Sequence, residues 1–425
     1  MVSAENGQNS RLEDFLEVKK IQSTGGATLY VTLDKDWASE RGIEKGGEMV
    51  MVKRPDDFLL LASKQTWDLC INRRKARVIV HKADISHDDV FRIIVGLYLA
   101  GCEAILLRPA VDVDLKPDLI TEIFRFVDRK LDATKVSWDT PYEDGVAGKR
   151  GLRFDIGTDF SRVRKFKDEL CRMQKQTEYR ILDSLRALLT AKADLAQLVF
   201  KSDDAIDMMY LYNLRNLKMA ITDMSLMNIL DLRNPRECLG YRHVIKNIER
   251  VADQTARLSR ELFELLEKDT LEGTEREQLS REFIEKITHM QIKSLFDDVI
   301  EVFRESIESL IDRNYLKANS VIDRVMAKEH SNVGISERAR TYQREILMQN
   351  NTEARMAARL SIIFDCVRRM AENSAGIAEI TLNLILWEQL VSPTQKQDSD
   401  GWIEFRLSPD NGTKPVSGEK GYAKA

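Results

Sequence analysis

Cysteine is scarce: five in 425 residues (Cys70, Cys102, Cys171, Cys238, Cys366), with no C-x-x-C pair among them. A disulfide framework, a zinc knuckle and a dithiol redox motif are thereby unsupported, and reduced cysteines in a cytoplasmic protein, mostly in the core, are the expectation. No apolar run approaches the ~20 residues that span a bilayer. The longest candidates, Phe58–Ala62 and Ala104–Leu107, read as strands. The opening MVSAENGQNSRLED has no apolar core of a signal peptide, so neither secretion nor membrane insertion is expected. Neither charge sign dominates: 65 basic against 69 acidic residues give a net charge of −4. Any surface for nucleic acid must therefore be local. Catalytic constellations are missing too. There is no G-x-S-x-G, P-loop or G-x-G-x-x-G. The five histidines (His81, His87, His243, His289, His330) are dispersed, and no Glu-x-x-His of a di-iron bundle occurs. We therefore expect a regulator and not an enzyme.

What is present is ordered along the chain. Residues 1–15 look disordered. Residues 16–64 have a β texture, with Leu29, Val31 and Leu33 alternating against Tyr30 and Thr32, and turns at Gly25-Gly26 and Gly46-Gly47. So short a set of strands cannot bury a core alone and needs a partner chain. Residues 76–157 alternate strand and helix: strands at Arg77–His81 and Glu103–Arg108, helices at Ser86–Ala100 and Pro117–Leu131, then strands at Thr134–Trp138 and Arg153–Ile156. That pattern predicts a small α/β layer.

Proline then almost vanishes, with Pro235 alone between 160 and 391, and helical spacing takes over. The expected helices are one around Leu170–Leu189, then Asp203–Leu232, Glu237–Lys268, Glu277–Arg313, Leu316–Gln349 (kinked near Gly334) and Glu353–Leu390. Residues 158–268 and 272–391 thus form two three-helix sets, and 392–425 reads as a disordered tail. The third helix of each set carries a related phrase, YRHVIKNIERVADQTARLSREL (Tyr241–Leu262) and LSIIFDCVRRMAENSAGIAEITL (Leu360–Leu382). Glu249 to Asp253 aligns with Arg368 to Glu372. The fold class expected is mainly α: two tandem three-helix bundles behind a small β domain and an α/β segment.

The phrase NIERVADQTARLSREL resembles the signature helix of the PhoU family of phosphate-signalling proteins, and KSDDAIDMMYLYNLR resembles its second acidic helix. The resemblance covers roughly Asp159–Leu390. It implies two side-by-side three-helix bundles, a metal cluster on acidic pairs, and repression of phosphate uptake through contact with a phosphate transporter ATPase or a signalling kinase. The front end, KKIQSTGGATLYVTLDKDWASERGIEKGGEMVMVKRPDDFLLLAS, resembles the AbrB/SpoVT (MazE-like) swapped-hairpin domain, which implies an intertwined DNA-binding homodimer. One departure is Asp34, where that family usually has proline. The pairing of the two resembles archaeal phosphate-uptake regulators.

Asp203 and Asp207, and Glu249 and Asp253, are each four residues apart, so each pair projects from one helix face. On neighbouring helices the four carboxylates would converge, a donor set for a divalent or iron-type cation that needs no histidine. A solvated acidic face is the competing reading. In the second repeat Arg368 replaces the first acid and only Glu372 remains; on the preceding helix Asp323 is followed four residues on by Ala327. There an internal salt bridge is expected in place of a metal, hence one metal site at most. For DNA, dimerisation could gather Lys19, Lys20, Lys35 and Arg41 on one face, although acidic neighbours balance them. The reading is a DNA-binding regulator of phosphate homeostasis; the alternative is a non-DNA-binding adaptor on a transporter or its kinase.

Overall fold

The computed structural model describes residues 18–24, 28–54, 58–71, 75–82, 84–111, 113–131, 135–139, 142–143, 146–147, 150–156, 163–202, 204–267, 274–329, 332–348, 354–390, 405–408 and 412–415. The chain divides into two compact units, 1–72 and 73–425, each considered by itself. Residues 1–15 and the Gly25-Gly26 turn lie outside the described residues.

The first unit contains two antiparallel hairpins. Strand β1 (Gln22–Thr24) pairs with β2 (Thr28–Tyr30), and β3 (Met49–Lys53) with β4 (Leu59–Ser63). Between the hairpins, α1 (Lys35–Glu40) begins at Asp34, whose carboxylate accepts the Trp37 backbone N–H at 2.7 Å. This N-cap gives a physical reason for aspartate at the position, since proline has no side-chain acceptor. Gly46 takes φ +89° ahead of β3, a conformation glycine adopts without strain. Helix α2 (Lys64–Ile71) follows β4. No described side chain in this unit is buried. Val18, Ile21, Leu29 and Phe58 are 94%, 67%, 70% and 69% exposed, as expected of strands too few to enclose a core.

The second unit starts with a four-stranded sheet in the order β5-β6-β10-β7. Strands β5 (Lys75–Val80) and β6 (Ala104–Pro109) are parallel, linked through α3 (His87–Leu99). Strands β10 (Gly151–Asp155) and β7 (Lys135–Asp139) add antiparallel. Helix α3 buries Val90, Ile94 and Tyr98, and α4 (Pro117–Lys130) buries Leu119, Ile123 and Val127. This i, i+4, i+8 spacing lays one apolar stripe of each helix on Ile105, Leu107, Leu152 and Phe154 of the sheet. Gly151 is required there, because a Cβ would come within 2.7 Å of the Leu107 carbonyl oxygen. Between β7 and β10, β8 (Tyr142–Glu143) pairs antiparallel with β9 (Val146–Ala147).

The helical region has two halves, but among the described residues each half has four principal helices and not three. The first comprises α5 (Phe166–Thr190), α6 (Ala193–Lys201), α7 (Asp204–Ala220) and, after the short α8 (Met224–Ile229), α9 (Pro235–Leu266). Helix α10 (Thr274–His289) leads into the second: α11 (Ile292–Ile311), α12 (Tyr315–Met326), α13 (Ile335–Met348) and α14 (Ala354–Leu390). The helix expected over Asp203–Leu232 stops at Ala220, because Asp223 caps α8 by accepting the Ser225 and Leu226 N–H groups. The helix expected over Glu277–Arg313 breaks at Gln291, which sits at φ 48°. The stretch Leu316–Gln349 is two helices separated by the hairpin β11 (Lys328–Glu329) and β12 (Asn332–Val333). Gly334 closes that break, where a Cβ would meet the Val325 carbonyl oxygen at 2.6 Å. In the tail, the described residues pair as β13 (Phe405–Ser408) with β14 (Gly412–Pro415), where disorder was expected.

The start of α9 was legible. Asn234 accepts the Glu237 N–H at 3.1 Å, and the Glu237 carboxylate accepts the Arg233 N–H at 2.7 Å, a reciprocal cap with proline at the first turn. Helices α9 and α14 run antiparallel along a shared seam. Thr255 meets Met370 at 3.2 Å and Arg355 donates to the Glu264 carbonyl at 2.5 Å. Gly240 lies under Leu384 and Gly376 under Asn247, each leaving only about 3 Å for a Cβ. Ile248, Val251, Ala252, Val367 and Met370 are fully buried on this seam's two helices; each large apolar side chain so enclosed stabilises by roughly 1.5–3 kcal/mol. A buried network adds to the join: Arg313 lies 2.6 Å from Glu237 and 3.0 Å from Glu388.

Candidate metal centre

Helix α9 carries Glu249 and Asp253 one turn apart, and α7 packs beside it. Asp207 of α7 and Glu249 and Asp253 of α9 each offer an oxygen, all within 4.8 Å of one another. Glu249 is only 9% exposed, which excludes a purely solvated acidic face. At such separations each pair of like charges repels by roughly 3 kcal/mol at an effective dielectric near 20, so cations must stand close by.

Two lysines do. Lys246, one turn before Glu249 on α9, places its ammonium 2.7 and 2.6 Å from the two Glu249 oxygens. The same ammonium stands 5.0 Å over the Tyr210 ring. Lys130, the last residue of α4 in the α/β layer, lies 2.7 Å from Asp204 and donates to Asp207. Burial pushes the Lys130 ammonium toward neutrality, but its bonds to Asp204 and Asp207 outweigh that and hold its pKa above the ordinary 10.5. Burial raises the Tyr210 phenol likewise. The α/β layer grips α7 a second way. Arg215 donates to the Tyr98 carbonyl, with its guanidinium 4.9 Å from the Tyr98 ring, and Leu211 packs on the α/β core.

Of the four expected ligands, three come together. Asp203 lies outside the described residues, and Asp204, at i,i+3 from Asp207, shares Lys130 with it without joining the three clustered carboxylates. That spacing shares a helix face as well as i,i+4 does, and the Asp203-Asp204 doublet could have signalled it. Lys246 was equally visible at i,i+3 from Glu249, whereas nothing in the local sequence announces Lys130. Three carboxylates with no histidine suit a hard cation such as magnesium, manganese or iron. Such an ion would be held by Asp207, Glu249 and Asp253 and would displace the lysines.

The second half differs. By helix order, α13 stands where α7 does. Asp323 is therefore no counterpart of the α7 acids; it belongs to α12, where Asn319 donates to it at 2.9 Å. Arg368 donates to both Glu372 oxygens at 2.7 Å and to Asp365 at 2.5 Å, the internal salt bridge that its sequence position predicts. Ser336 adds a 2.8 Å bond to Glu372. Among the described residues the single group able to hold a metal is the one in the first half.

The expected DNA-contact residues all lie in the first unit. Lys20, Lys35 and Arg41 are exposed and Lys19 is half-buried; Lys35 opens α1 and Arg41 caps its end. Lys19 and Lys20 precede β1. No helix among the described residues is long and apolar enough to cross a membrane.

The second unit is thus a protein of doubled helical halves, with a carboxylate cluster between two helices of the first. The PhoU domain model matches residues 170–262, which run from α5 to α9 and take in all three clustered carboxylates. Solved structures similar to this chain include PhoU from Pseudomonas aeruginosa, at 18% identity over 52% of this chain and 96% of that one, with a TM-score of 0.38. The phosphate transport system regulatory protein PhoU from Streptococcus pneumoniae is similar at 16% identity over 53% and 96%, also at 0.38. A search of curated proteins finds no match.

Proposed function

We propose that this chain is a cytoplasmic, DNA-binding regulator that restrains phosphate uptake and metabolism, and not an enzyme. The observation that carries the reading is the Asp207–Glu249–Asp253 cluster inside the stretch that matches the PhoU domain. In this reading the first half holds a divalent or iron-type cation, and the helical region is the sensor and partner platform. The first unit, an AbrB/SpoVT-like swapped-hairpin domain, forms a homodimer that covers the apolar side chains left exposed in one copy. Lys19, Lys20, Lys35 and Arg41 then contact DNA phosphates. Retention on the protein's own promoter DNA, measured against salt, is the test. A steep loss of affinity with salt is expected, together with a response to phosphate supply. Absence of salt-sensitive binding by a protein that still sediments as a dimer would instead favour a second reading, an adaptor docking on a phosphate transporter ATPase or its kinase. The interleaved charges of α1, where Lys35 is followed by Asp36 and Arg41 preceded by Glu40, favour that second reading. Metal content of Asp207→Ala and Glu249→Ala tests the cation separately: content equal to that of the parent protein would remove it.

A further inference from the structure

Helices α13 and α14 enclose an open cleft of about 350 Å³ lined by Arg340, Gln343, Arg344, Leu347, Asp365 and Arg368. Three guanidiniums face one carboxylate, and that carboxylate is already committed. Asp365 accepts from Arg368 at 2.5 Å and Arg369 at 2.8 Å. These bonds hold its carboxyl below the ordinary range despite burial. The other two arginines are held loosely. Arg340 lies 3.4 Å from both Glu337 and Glu372, long beside the 2.7–2.9 Å of a firm charged pair. Among the described residues Arg344 makes one bond, at 3.1 Å to Glu337. Each guanidinium carries five N–H donors, so among the described residues Arg340 and Arg344 keep donors with no close acceptor. Glu337 holds the two side by side, while Gln343 is anchored to Ser361 at 3.0 and 3.3 Å on the cleft wall.

Two planar forks with spare donors, set side by side, match a tetrahedral oxyanion. We propose that this cleft binds a small phosphoryl-bearing anion, with Arg340 and Arg344 as the contacting forks. The volume is at the small end of ligand sites, enough for inorganic phosphate or a mononucleotide. The inference is independent of the metal reading, because it uses neither the carboxylate cluster nor the first unit.

The test is calorimetric titration of the full chain with inorganic phosphate and, separately, AMP, with ionic strength held constant by sodium chloride. Saturable binding of at least one is expected. Arg344→Ala should weaken it about tenfold and the Arg340→Ala/Arg344→Ala double variant further, the size of lost charged hydrogen bonds. Arg344→Lys should restore only part, since a point charge lacks the fork. Tighter AMP assigns the site to a nucleotide-borne phosphoryl group, tighter phosphate to the free ion. Arg344 is exposed and Arg340 half-buried, and an unchanged thermal melt confirms that the variants fold. No saturable binding of either anion, sulfate bound as tightly as phosphate, or an unaltered affinity in the double variant would overturn the proposal.

Discussion

Between α7 and α9 of the first half, three carboxylates come within 4.8 Å and lysines from two different segments sit against them. Between α13 and α14 of the second, Arg368 lies flat on Glu372 and Asp365, and Arg340 and Arg344 stand beside it. The two halves share helix order and a common seam, so the backbone does not account for the contrast. Residue choice at a few seam-distal positions does. A lysine is a flexible, strongly hydrated cation that an ion can replace, whereas an arginine bonded through its planar fork is a fixture. One corner pairs its carboxylates with lysines and the other with an arginine.

The widest test of that shared frame is at the seam. Ile248→Ala should cost about 2–5 kcal/mol, read by urea denaturation. Because each half buries its long helix against the long helix of the other, a single unfolding transition is expected; two separated transitions would show that the halves are independent. Next is Arg368→Ala, which leaves Glu372 and Asp365 without their main partner. About 1–3 kcal/mol should be lost, and manganese should not restore it. The matching change in the first half, Lys246→Ala, should cost at most about 1 kcal/mol, because that ammonium is more than a third exposed. Here manganese should more than restore the melting temperature. Lys130→Ala should raise cation affinity several-fold in a calorimetric titration by removing a competitor for Asp207; a fall in affinity would mean that the α/β layer builds the site and does not cap it.

The smallest effect is in pH. Asp365 has its pKa lowered from 3.8, since the Arg368 and Arg369 bonds outweigh desolvation. A depressed carboxyl stabilises the fold above its unfolded value, and that contribution disappears as pH falls below 3.8 through the lowered value. Asp365→Asn should therefore flatten the loss of stability in that acid window, as measured by urea melts, and leave the slope at neutral pH unchanged.

These contrasts also mark how far sequence reading reached. The i,i+4 acids and the Arg368 substitution were visible because helix geometry converts spacing into a shared face. Asn234-Pro235 announced its helix through cap chemistry. The α/β strands matched because alternation there is regular. The break at Gln291 was not visible, since a non-glycine residue at positive φ carries no composition signal. The hairpin at Lys328–Val333 was visible only as a kink near Gly334, because its polar residues suit a helix surface as well as a turn. Lys130 could not have been found, because it meets Asp207 from 77 residues away through a tertiary contact between layers. The Arg340–Arg344 cleft combines residues that, read along the sequence, are ordinary surface arginines of one helix.

The most direct measurement compares metal content, by plasma mass spectrometry after purification in manganese-supplemented buffer, in the parent chain, Glu249→Gln and Glu372→Gln. The account predicts bound metal in the parent, its loss in Glu249→Gln and its retention in Glu372→Gln. Equal metal in all three, or loss only in Glu372→Gln, would contradict it.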